Sequence, residues 1–345
     1  MYPLNQKQPW PRQQWWIAAW SGEVSRELLG RTILGEPVIL YRTEDGTPTA
    51  LAGVCPHRSY PLAQGTLVGD AVQCTYHGFT FDAAGACVRV PSQASVPDRS
   101  RLRHYPTVER GGTVWIWTGD PDRSDAVTIP DVLAMGMAAP GWANDISPMV
   151  TIRGRYTLLI DNLMDLSHAS FIHADTIPGA DYIATIPAEL VDGAGSLAVR
   201  RVGRIPPNPL TRKQFPLQNG GVEQHFDAEY HAPALIRTGG DIRTEAGEPL
   251  GTQNFIHGIT PETAHSVHYF VATTRDFAIA DPALSAGNLA MGDRIQPQDV
   301  AAIEAVEAML RSLAAAPTEV SCRADTGALK VRHRLARQIA SEDMA

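Results

Sequence analysis

Two segments decide how this sequence folds: Cys55-Pro56-His57 and, after 16 intervening residues, Cys74-Thr75-Tyr76-His77. Together they form the pattern C-x-H-x16-C-x2-H. In an intracellular protein, closely spaced Cys and His residues indicate metal binding or catalysis rather than a disulfide framework. Pro56 and the following Gly78 are residues that tight turns favour. We therefore expect two tight loops, each presenting one thiol and one imidazole to a shared site.

The ligand types favour an iron–sulfur cluster over a single metal ion. In a Rieske [2Fe–2S] centre, two His replace two Cys on one of the two irons, which raises the reduction potential relative to all-Cys clusters. A Cys2His2 zinc site is chemically acceptable, and four unrelated core residues are a further alternative. However, C-x-H is not a usual half of a zinc finger, and the second half lacks H-x3–5-H. The pattern predicts cluster ligands at Cys55, His57, Cys74 and His77.

Composition indicates a globular protein that binds neither nucleic acid nor membrane. The 345 residues are 44% hydrophobic, which allows a substantial core and one to three domains. With 37 acidic residues against 29 Lys and Arg, no basic footprint for nucleic acid is present. The first residues contain no basic region followed by an apolar one, and no apolar run reaches membrane-spanning length. We therefore expect a cytoplasmic protein.

The hydrophobic pattern changes along the chain and predicts two domains. Residues 1–120 alternate like antiparallel strands separated by turns, whereas residues 121–345 mix strands and helices. In the second part, residues 190–275 are strand-like and a helix is expected near 161–170. A longer helix is expected from Pro297 to about Ala315, since apolar residues recur there every three to four positions and proline suits a first turn. The predicted fold is α+β, with a β domain followed by a helix-grip-like domain around a central antiparallel sheet.

A second group of candidate ligands lies about a hundred residues after the first, in the segment from Asp161 to His173. Two His and one carboxylate form the facial triad of non-haem Fe(II) oxygenases. His173 follows His168 by five residues, about 140° around an ideal helix, so both can bind one metal only if the helix is irregular near Phe171. The alternative is a helix start with acidic residues and two incidental histidines.

Both segments resemble those of the Rieske non-haem iron aromatic-ring oxygenases, α subunit. Arg58 is similar to the basic residue that follows the first His in that family, and D-x2-H-x4-H begins at Asp165. The resemblance implies that His168 and His173 bind iron. It also implies that Asp165 hydrogen-bonds a Rieske-ligand histidine, His77 of a neighbouring subunit. Cys87 and Cys322 have no counterpart in the signature and are expected to be structural.

The resemblance also implies roles for two residues near the iron. Asn162 would lie close to the metal without binding it strongly. For the third ligand, Asp293, Asp299 and Glu304 are candidates. We predict Asp299, because the segment from Gln298 to Glu304 resembles the family's ligand-bearing segment.

The chain especially resembles the group that includes vanillate O-demethylase, dicamba demethylase and toluenesulfonate methyl-monooxygenase oxygenase components. This implies O2-dependent hydroxylation of a methyl or methoxy group on an aromatic acid or sulfonate by a homotrimer. Because no G-x-G-x-x-G fingerprint occurs, NAD(P)H electrons are expected to arrive through a separate reductase or ferredoxin. His257, Arg237 and Arg243 are candidates for binding the substrate anion, with His257 preferred. Ring hydroxylation, N-demethylation and a non-enzymatic Rieske electron carrier are the alternatives.

Overall fold

The computed structural model describes residues 9–177, 180–193, 195–205, 215, 221–315 and 317–342. The chain divides into two compact units. The first contains residues 12–129 and 260–264, and the second contains the described parts of residues 1–11, 130–259 and 265–345. The boundary predicted at residue 120 thus lies shortly before the point where the chain passes from one unit to the other.

The first unit is built from short antiparallel strands. They are β1 (Trp15–Trp20), β2 (Leu29–Ile33), β3 (Glu36–Arg42), β4 (Pro48–Ala52), β5 (Thr66–Val68), β6 (Ala71–Gln73), β7 (Thr80–Phe81), β8 (Cys87–Arg89), β9 (His104–Tyr105), β10 (Thr107–Arg110) and β11 (Thr113–Trp117). They form sheets in the orders β1-β11-β10, β2-β3-β4-β9 and β5-β6-β7-β8. Cys55 and Cys74 belong to the apolar cluster that packs between the strands of this unit, so both loops are anchored in its core.

The second unit is organised around one large sheet. Its strands are β12 (Ala143–Ile146), β13 (Val150–Ile152), β14 (Glu189–Asp192), β15 (Ser196–Arg200), β16 (Val202–Ile205), β17 (Val222–His225), β18 (Asp227–His231), β19 (Leu235–Thr244), β20 (Pro249–Thr263) and β21 (Ser266–Arg275). The main order is β12-β21-β20-β19-β18-β15-β14, and β13, β16 and β17 extend it. Buried residues alternate along β19, as expected for a strand with one face on the core. Together with its helices, this sheet confirms the predicted α+β class.

The helices of the second unit are α1 (Tyr156–Met164), α2 (Ala169–Ile172), α3 (Pro282–Ser312) and α4 (Thr326–Glu342). The predicted start of the long helix at Pro297 is wrong, because Pro297 lies inside α3. The helix begins at Pro282, where the Asp281 side chain accepts hydrogen bonds from the amides of Ala283 and Leu284. An Asp N-cap followed by Pro is a strong start signal. Among the described residues, no helix combines the length and apolar character needed to span a bilayer.

The helix predicted over 161–170 is interrupted, and the interruption lies earlier than the predicted position near Phe171. Helix α1 ends at Met164, and Asp165 adopts the extended conformation at φ −121° and ψ 91°. A 3-10 turn then covers Leu166–His168 and leads directly into α2. The Asp165 carboxylate caps this turn by accepting a hydrogen bond from the Ser167 amide. Asn162, Asp165 and His168 therefore do not share one continuous helical stripe.

Candidate metal centres

The first predicted cluster loop closes on itself through its backbone. The Cys55 amide donates to the Tyr60 carbonyl at 2.9 Å, and the Ser59 amide donates back to the Cys55 carbonyl at 2.9 Å. Ser59 adopts a positive φ of 51°, which is uncommon for a residue with a side chain. The two bonds hold the loop in a fixed shape and turn His57 outward.

The second loop repeats the same backbone pattern. The Cys74 amide donates to the Phe79 carbonyl at 2.8 Å, and the Gly78 amide donates to the Cys74 carbonyl at 2.9 Å. Gly78, with φ 73°, occupies the position that Ser59 has in the first loop. A Cβ atom at Gly78 would lie 2.7 Å from Pro91, so this position also requires the absence of a side chain.

The four side chains pair by atom type. The Cys55 and Cys74 thiols are buried and lie within hydrogen-bonding contact of each other. Burial, together with the neighbouring Cys74 thiol, raises the pKa of the Cys55 thiol. His57 and His77 are exposed, and their ring centroids are 4.6 Å apart. Two thiols on one side and two imidazoles on the other fit the two unlike irons of a Rieske cluster.

This arrangement argues against the zinc alternative. A tetrahedral zinc site brings all four ligand atoms around one ion. Within the described residues, the group of His, Cys, Asp or Glu ligand atoms that all lie within 4.8 Å of one another is His168, His173 and Asp299. The four residues of the cluster loops do not converge in this way. Their geometry therefore suits a binuclear centre.

The second predicted centre is the converging group of His168, His173 and Asp299. The Nε2 atoms of the two histidines lie 3.6 and 3.2 Å from Asp299 Oδ1. The His173 side chain is 3% exposed and that of Asp299 is 6% exposed, whereas that of His168 is 16% exposed. Two imidazoles and one carboxylate on one side of a site are the donor set of a facial triad for Fe(II). The ligand roles of these residues remain predictions, and their side chains fit that group.

Hydrogen bonds fix which ring nitrogen each histidine presents. His168 Nδ1 lies 2.7 Å from the Asp165 carbonyl, which can only accept, so Nδ1 carries the proton. His173 Nδ1 lies 2.9 Å from Gln298 Oε1, and Gln298 Nε2 donates to Thr176 Oγ1 at 2.9 Å. Both Nε2 atoms are therefore left to face Asp299, which is the usual way in which neighbours orient metal-binding histidines. No sequence pattern indicates Gln298 or Thr176 in this role.

Asp299 is distinguished from the other two candidate carboxylates by its surroundings. Asn162 Nδ2 donates to Asp299 Oδ1 at 3.0 Å. Burial alone would raise the pKa of Asp299, but hydrogen bonding to His173 and Asn162 holds that pKa below its ordinary value. Asp293 is exposed, and Glu304 accepts a hydrogen bond from the Arg153 amide. The structure thus brings Asp299 to the histidines and leaves the other two candidates elsewhere.

Asp165 lies beside the iron triad and in the wall of a cavity of about 470 Å³ that His168 also lines. Its carboxylate accepts hydrogen bonds from the amide and hydroxyl of Ser167 and from Arg201 Nη2 at 3.2 Å. Arg201 is 3% exposed, so this is a largely buried ion pair. The carboxylate is therefore held in place at the rim of the site, although its predicted contact with a neighbouring subunit stays a prediction.

A second cavity, of about 250 Å³, opens onto the triad from the sheet side. His168, His173 and Asp299 all line it. Eleven of the other lining residues have apolar side chains, namely Leu163, Leu166, Ala169, Ile177, Ile183, Phe226, Ile242, Phe255, Val271, Met291 and Ile295. A mostly apolar cavity with a few polar groups is typical of small-molecule sites.

His257 lines this cavity and is almost completely buried. Its ring nitrogens lie 2.7 Å from the Tyr269 hydroxyl and 3.0 Å from Thr238 Oγ1. Burial lowers the pKa of His257 to about 4, so the ring is neutral at neutral pH. Arg237 and Arg243 do not line the cavity; instead they form ion pairs, with Glu229 for the first and Asp241 for the second. Of the three predicted anion-binding residues, the structure brings only His257 to the site.

Family comparisons assign both parts of the chain. Residues 14–106 match the Rieske [2Fe–2S] domain, which includes all four predicted cluster ligands. Residues 152–341 match the vanillate O-demethylase oxygenase C-terminal domain, which includes the iron triad.

Whole-length relatives agree with these matches. The chain is 33% identical to the oxygenase component of dicamba O-demethylase from Stenotrophomonas maltophilia, over 94% of this chain and 96% of the relative. It is 35% identical to an iron–sulfur subunit of the toluene-4-sulfonate monooxygenase system of Comamonas testosteroni, over 79% and 81%. A crystal structure of dicamba monooxygenase bound to 3,6-dichlorosalicylic acid superposes with a TM-score of 0.87 at 31% identity, covering 97% of this chain and 99% of that chain.

Proposed function

The chain belongs to the Rieske non-haem iron oxygenases, in the group of the vanillate O-demethylase oxygenase components, and on that basis we propose that it oxidises a methyl or methoxy group on an aromatic acid or sulfonate. As in its relatives, it is the oxygenase component of a multicomponent monooxygenase. When bound, the [2Fe–2S] cluster and Fe(II) supply electron transfer and oxygen activation. The polypeptide holds these groups and positions the substrate.

The proposed reaction balances with two external electrons. A methoxy substrate, O2, two electrons and two protons give a hydroxymethyl ether and water; the O–O bond breaks and one C–H bond becomes C–OH. The hydroxymethyl ether then loses its hydroxyl proton and breaks its CH2–O(aryl) bond, which yields formaldehyde and, after protonation, a phenol. For a methyl group bonded to carbon, the reaction stops at the alcohol.

The observation that carries this proposal is a cavity that the triad and many apolar side chains line together. His168, His173 and Asp299 all border it, and neutral His257 lies in its wall. Apolar side chains exclude water from the ring of the substrate, while the buried polar groups fix its orientation. The hydrogen bond from Asn162 holds Asp299 in the conformation that faces both imidazoles.

We further propose that a separate reductase or ferredoxin supplies the electrons and that the chain forms a homotrimer, in which Asp165 would connect the residues that hold the iron to those that hold the cluster in a second copy. The support lies in Asp165, which lines the 470 Å³ cavity and whose carbonyl accepts a hydrogen bond from His168 Nδ1–H. An imidazole of a neighbouring subunit that hydrogen-bonds the Asp165 carboxylate would thus be connected to His168, a predicted iron ligand, through Asp165 alone.

Asp165→Asn should keep both metal centres and slow electron transfer between them by about 10- to 100-fold, as changes next to metal ligands usually do. Single-turnover kinetics of the reduced enzyme, followed at the cluster absorption band, measure this step. Ser170→Ala, which leaves the Asp165 carboxylate untouched, is the control. An unchanged rate of cluster oxidation in Asp165→Asn would contradict the proposed route.

The proposed activity is tested with the enzyme, a generic ferredoxin reductase and NADH, across methoxybenzoates, tolyl sulfonates and chlorinated aryl ethers. Formaldehyde release in step with O2 consumption supports O-demethylation, and a benzylic alcohol supports methyl hydroxylation. A cis-diol would instead assign ring hydroxylation. If no compound of the panel increases the rate of O2 consumption, the proposed substrate class is overturned.

A further inference from the structure

Gln296 is a buried amide in the wall of the substrate cavity that the reaction described above does not use. It lies in α3, is 8% exposed, and lines the same cavity as the iron triad. Its Nε2 atom is buried and has no hydrogen-bond partner among the described residues. Buried amide donors in proteins are nearly always paired, so an unpaired donor facing a cavity points to a ligand.

The position of Gln296 in the helix places it close to Asp299 of the triad. It precedes Asp299 by three residues, so the two side chains lie on neighbouring parts of one helix face. Gly292, one turn earlier, also lines the cavity and keeps space open beside the amide. A Cβ atom at Gly292 would lie 3.6 Å from Gln296 Nε2 and 3.4 Å from Ser147 Oγ.

The other polar groups around this cavity are neutral or already engaged. Among the described lining residues there is no Lys or Arg. His257 is neutral at neutral pH and already lies within hydrogen-bonding distance of Tyr269 and Thr238. Asn288 Nδ2 uses one of its two N–H groups on Asp145 Oδ2 at 2.8 Å, and Asp145 does not line the cavity. Gln296 Nε2 is thus a donor in this wall that remains available to a substrate oxygen.

We propose that Gln296 Nε2 donates a hydrogen bond to a carboxylate or sulfonate oxygen of the aromatic substrate and thereby determines which ring substituent faces the triad. This inference rests on the proposed function, because it assumes an aromatic acid in the cavity. Gln296 is then a specificity-determining residue. It discriminates between an aryl ether that carries an acidic group and the same ether without one, since only the former offers a charged acceptor.

The test compares 4-methoxybenzoate with anisole, which has the same methoxy ring and no carboxylate. Dissociation constants are measured by calorimetry on the fully metal-loaded enzyme and on Gln296→Leu and Gln296→Glu. We expect Gln296→Leu to weaken 4-methoxybenzoate binding about tenfold, the effect of one hydrogen bond to a charged group, and to leave anisole binding unchanged. Gln296→Glu should weaken 4-methoxybenzoate binding further through like-charge repulsion. Equal changes for both probes, or none for 4-methoxybenzoate, would overturn the proposal.

A second measurement needs no substrate. Leucine in place of an unpaired buried amide should leave the thermal unfolding midpoint unchanged or raise it, whereas a fall of several degrees would mean that the amide is bonded within the protein and would overturn the proposal. Gln338→Leu, at a half-buried position of α4 outside the cavity, is the matched control. If the wild-type enzyme binds neither probe, the proposed substrate class fails, and the midpoint still decides whether Gln296 is a free donor.

Discussion

The cluster loops and the iron triad hold their predicted ligands in opposite ways. The four cluster residues come from one short stretch, Cys55 to His77, and each loop is closed by its own backbone hydrogen bonds. The triad joins a broken helical segment to a residue more than a hundred positions later, Asp299. Its histidines are oriented by neighbouring carbonyl and amide oxygens rather than by a loop of fixed shape.

The difference shows what each site requires from the rest of the protein. The cluster loops need a core in which to anchor two cysteines, and their histidines stay exposed. The triad needs the correct packing of α1, α2 and α3 before its three side chains can meet. We therefore expect that substitutions of residues next to the triad will also weaken metal binding there. In the cluster loops, we expect mainly substitutions of the predicted ligands themselves to do so.

The largest effect is expected from His168→Ala. Removing one imidazole from a three-residue donor set should abolish substrate turnover and lower the iron content from about three to about two per two sulfides, because the cluster supplies two irons. The visible absorption of the Rieske centre should remain. Iron and sulfide analysis, the visible spectrum and O2 consumption measure the three parts of this prediction.

Cys74→Ser is the reciprocal variant. It should remove the cluster colour and the turnover while leaving the triad residues unchanged. Retained turnover in His168→Ala would contradict the placement of the catalytic iron. Loss of the cluster spectrum in the same variant would contradict the independence of the two centres.

A smaller effect is expected from Gln298→Leu, which removes the acceptor for His173 Nδ1. The imidazole then loses the contact that fixes its orientation, and Fe(II) affinity should fall by about 10- to 100-fold. Equilibrium titration of the iron-depleted, cluster-containing enzyme with Fe(II) gives this affinity directly.

Gln298→Glu keeps an acceptor oxygen at the same position and serves as the matched variant. It should bind Fe(II) at least as tightly as the wild-type enzyme, because a carboxylate increases the basicity of the imidazole that it accepts from. Equal losses of affinity in both variants would mean that residue 298 acts on packing rather than on His173.

The smallest effect concerns the dependence of stability on pH through His257. Its folded pKa of about 4 lies below the ordinary value of 6.5, so protons bind the unfolded state more tightly. Native stability should therefore decrease as the pH falls below 6.5, by about 2 kcal/mol between pH 7.5 and pH 5 from this group. Urea unfolding of wild-type protein and His257→Gln at both pH values isolates this contribution. The same pH dependence in both proteins would refute it.

The sequence predicted the cluster more completely than the triad because the cluster's information is local. C-x-H and C-x2-H place both ligand types within turns whose shape depends on a few residues. The third iron ligand could only be proposed by resemblance, since nothing near Asp299 indicates that it meets His168. Asp299 was predicted to lie at a helix start, because proline is disfavoured inside a helix and Pro297 therefore suggested a beginning. That prediction was wrong, since the helix begins at Pro282 and contains Pro297.

The position of the helix break was also beyond the reach of periodicity. The relevant signal was Asp165 followed by Ser167, a capping pair that competes with the helix for hydrogen bonds. The prediction instead used the angle between His168 and His173 around an ideal helix. That angle requires an irregularity in the helix but does not determine its position. The contact of Gln298 with His173 and the proposed role of Gln296 were not predicted, because a single glutamine in a helix forms no distinctive sequence pattern. Both depend on which residues lie next to the helix in the folded protein.

The matching backbone bonds of the two cluster loops bear on how the protein matures. Because each loop is closed by bonds between its own amides and carbonyls, the cage can be shaped before any inorganic group is inserted. The predicted sulfur ligands, Cys55 and Cys74, are buried, and the predicted imidazole ligands, His57 and His77, are exposed. Delivery of a preassembled cluster would then proceed from the imidazole side, with the thiolates as the last ligands to be reached.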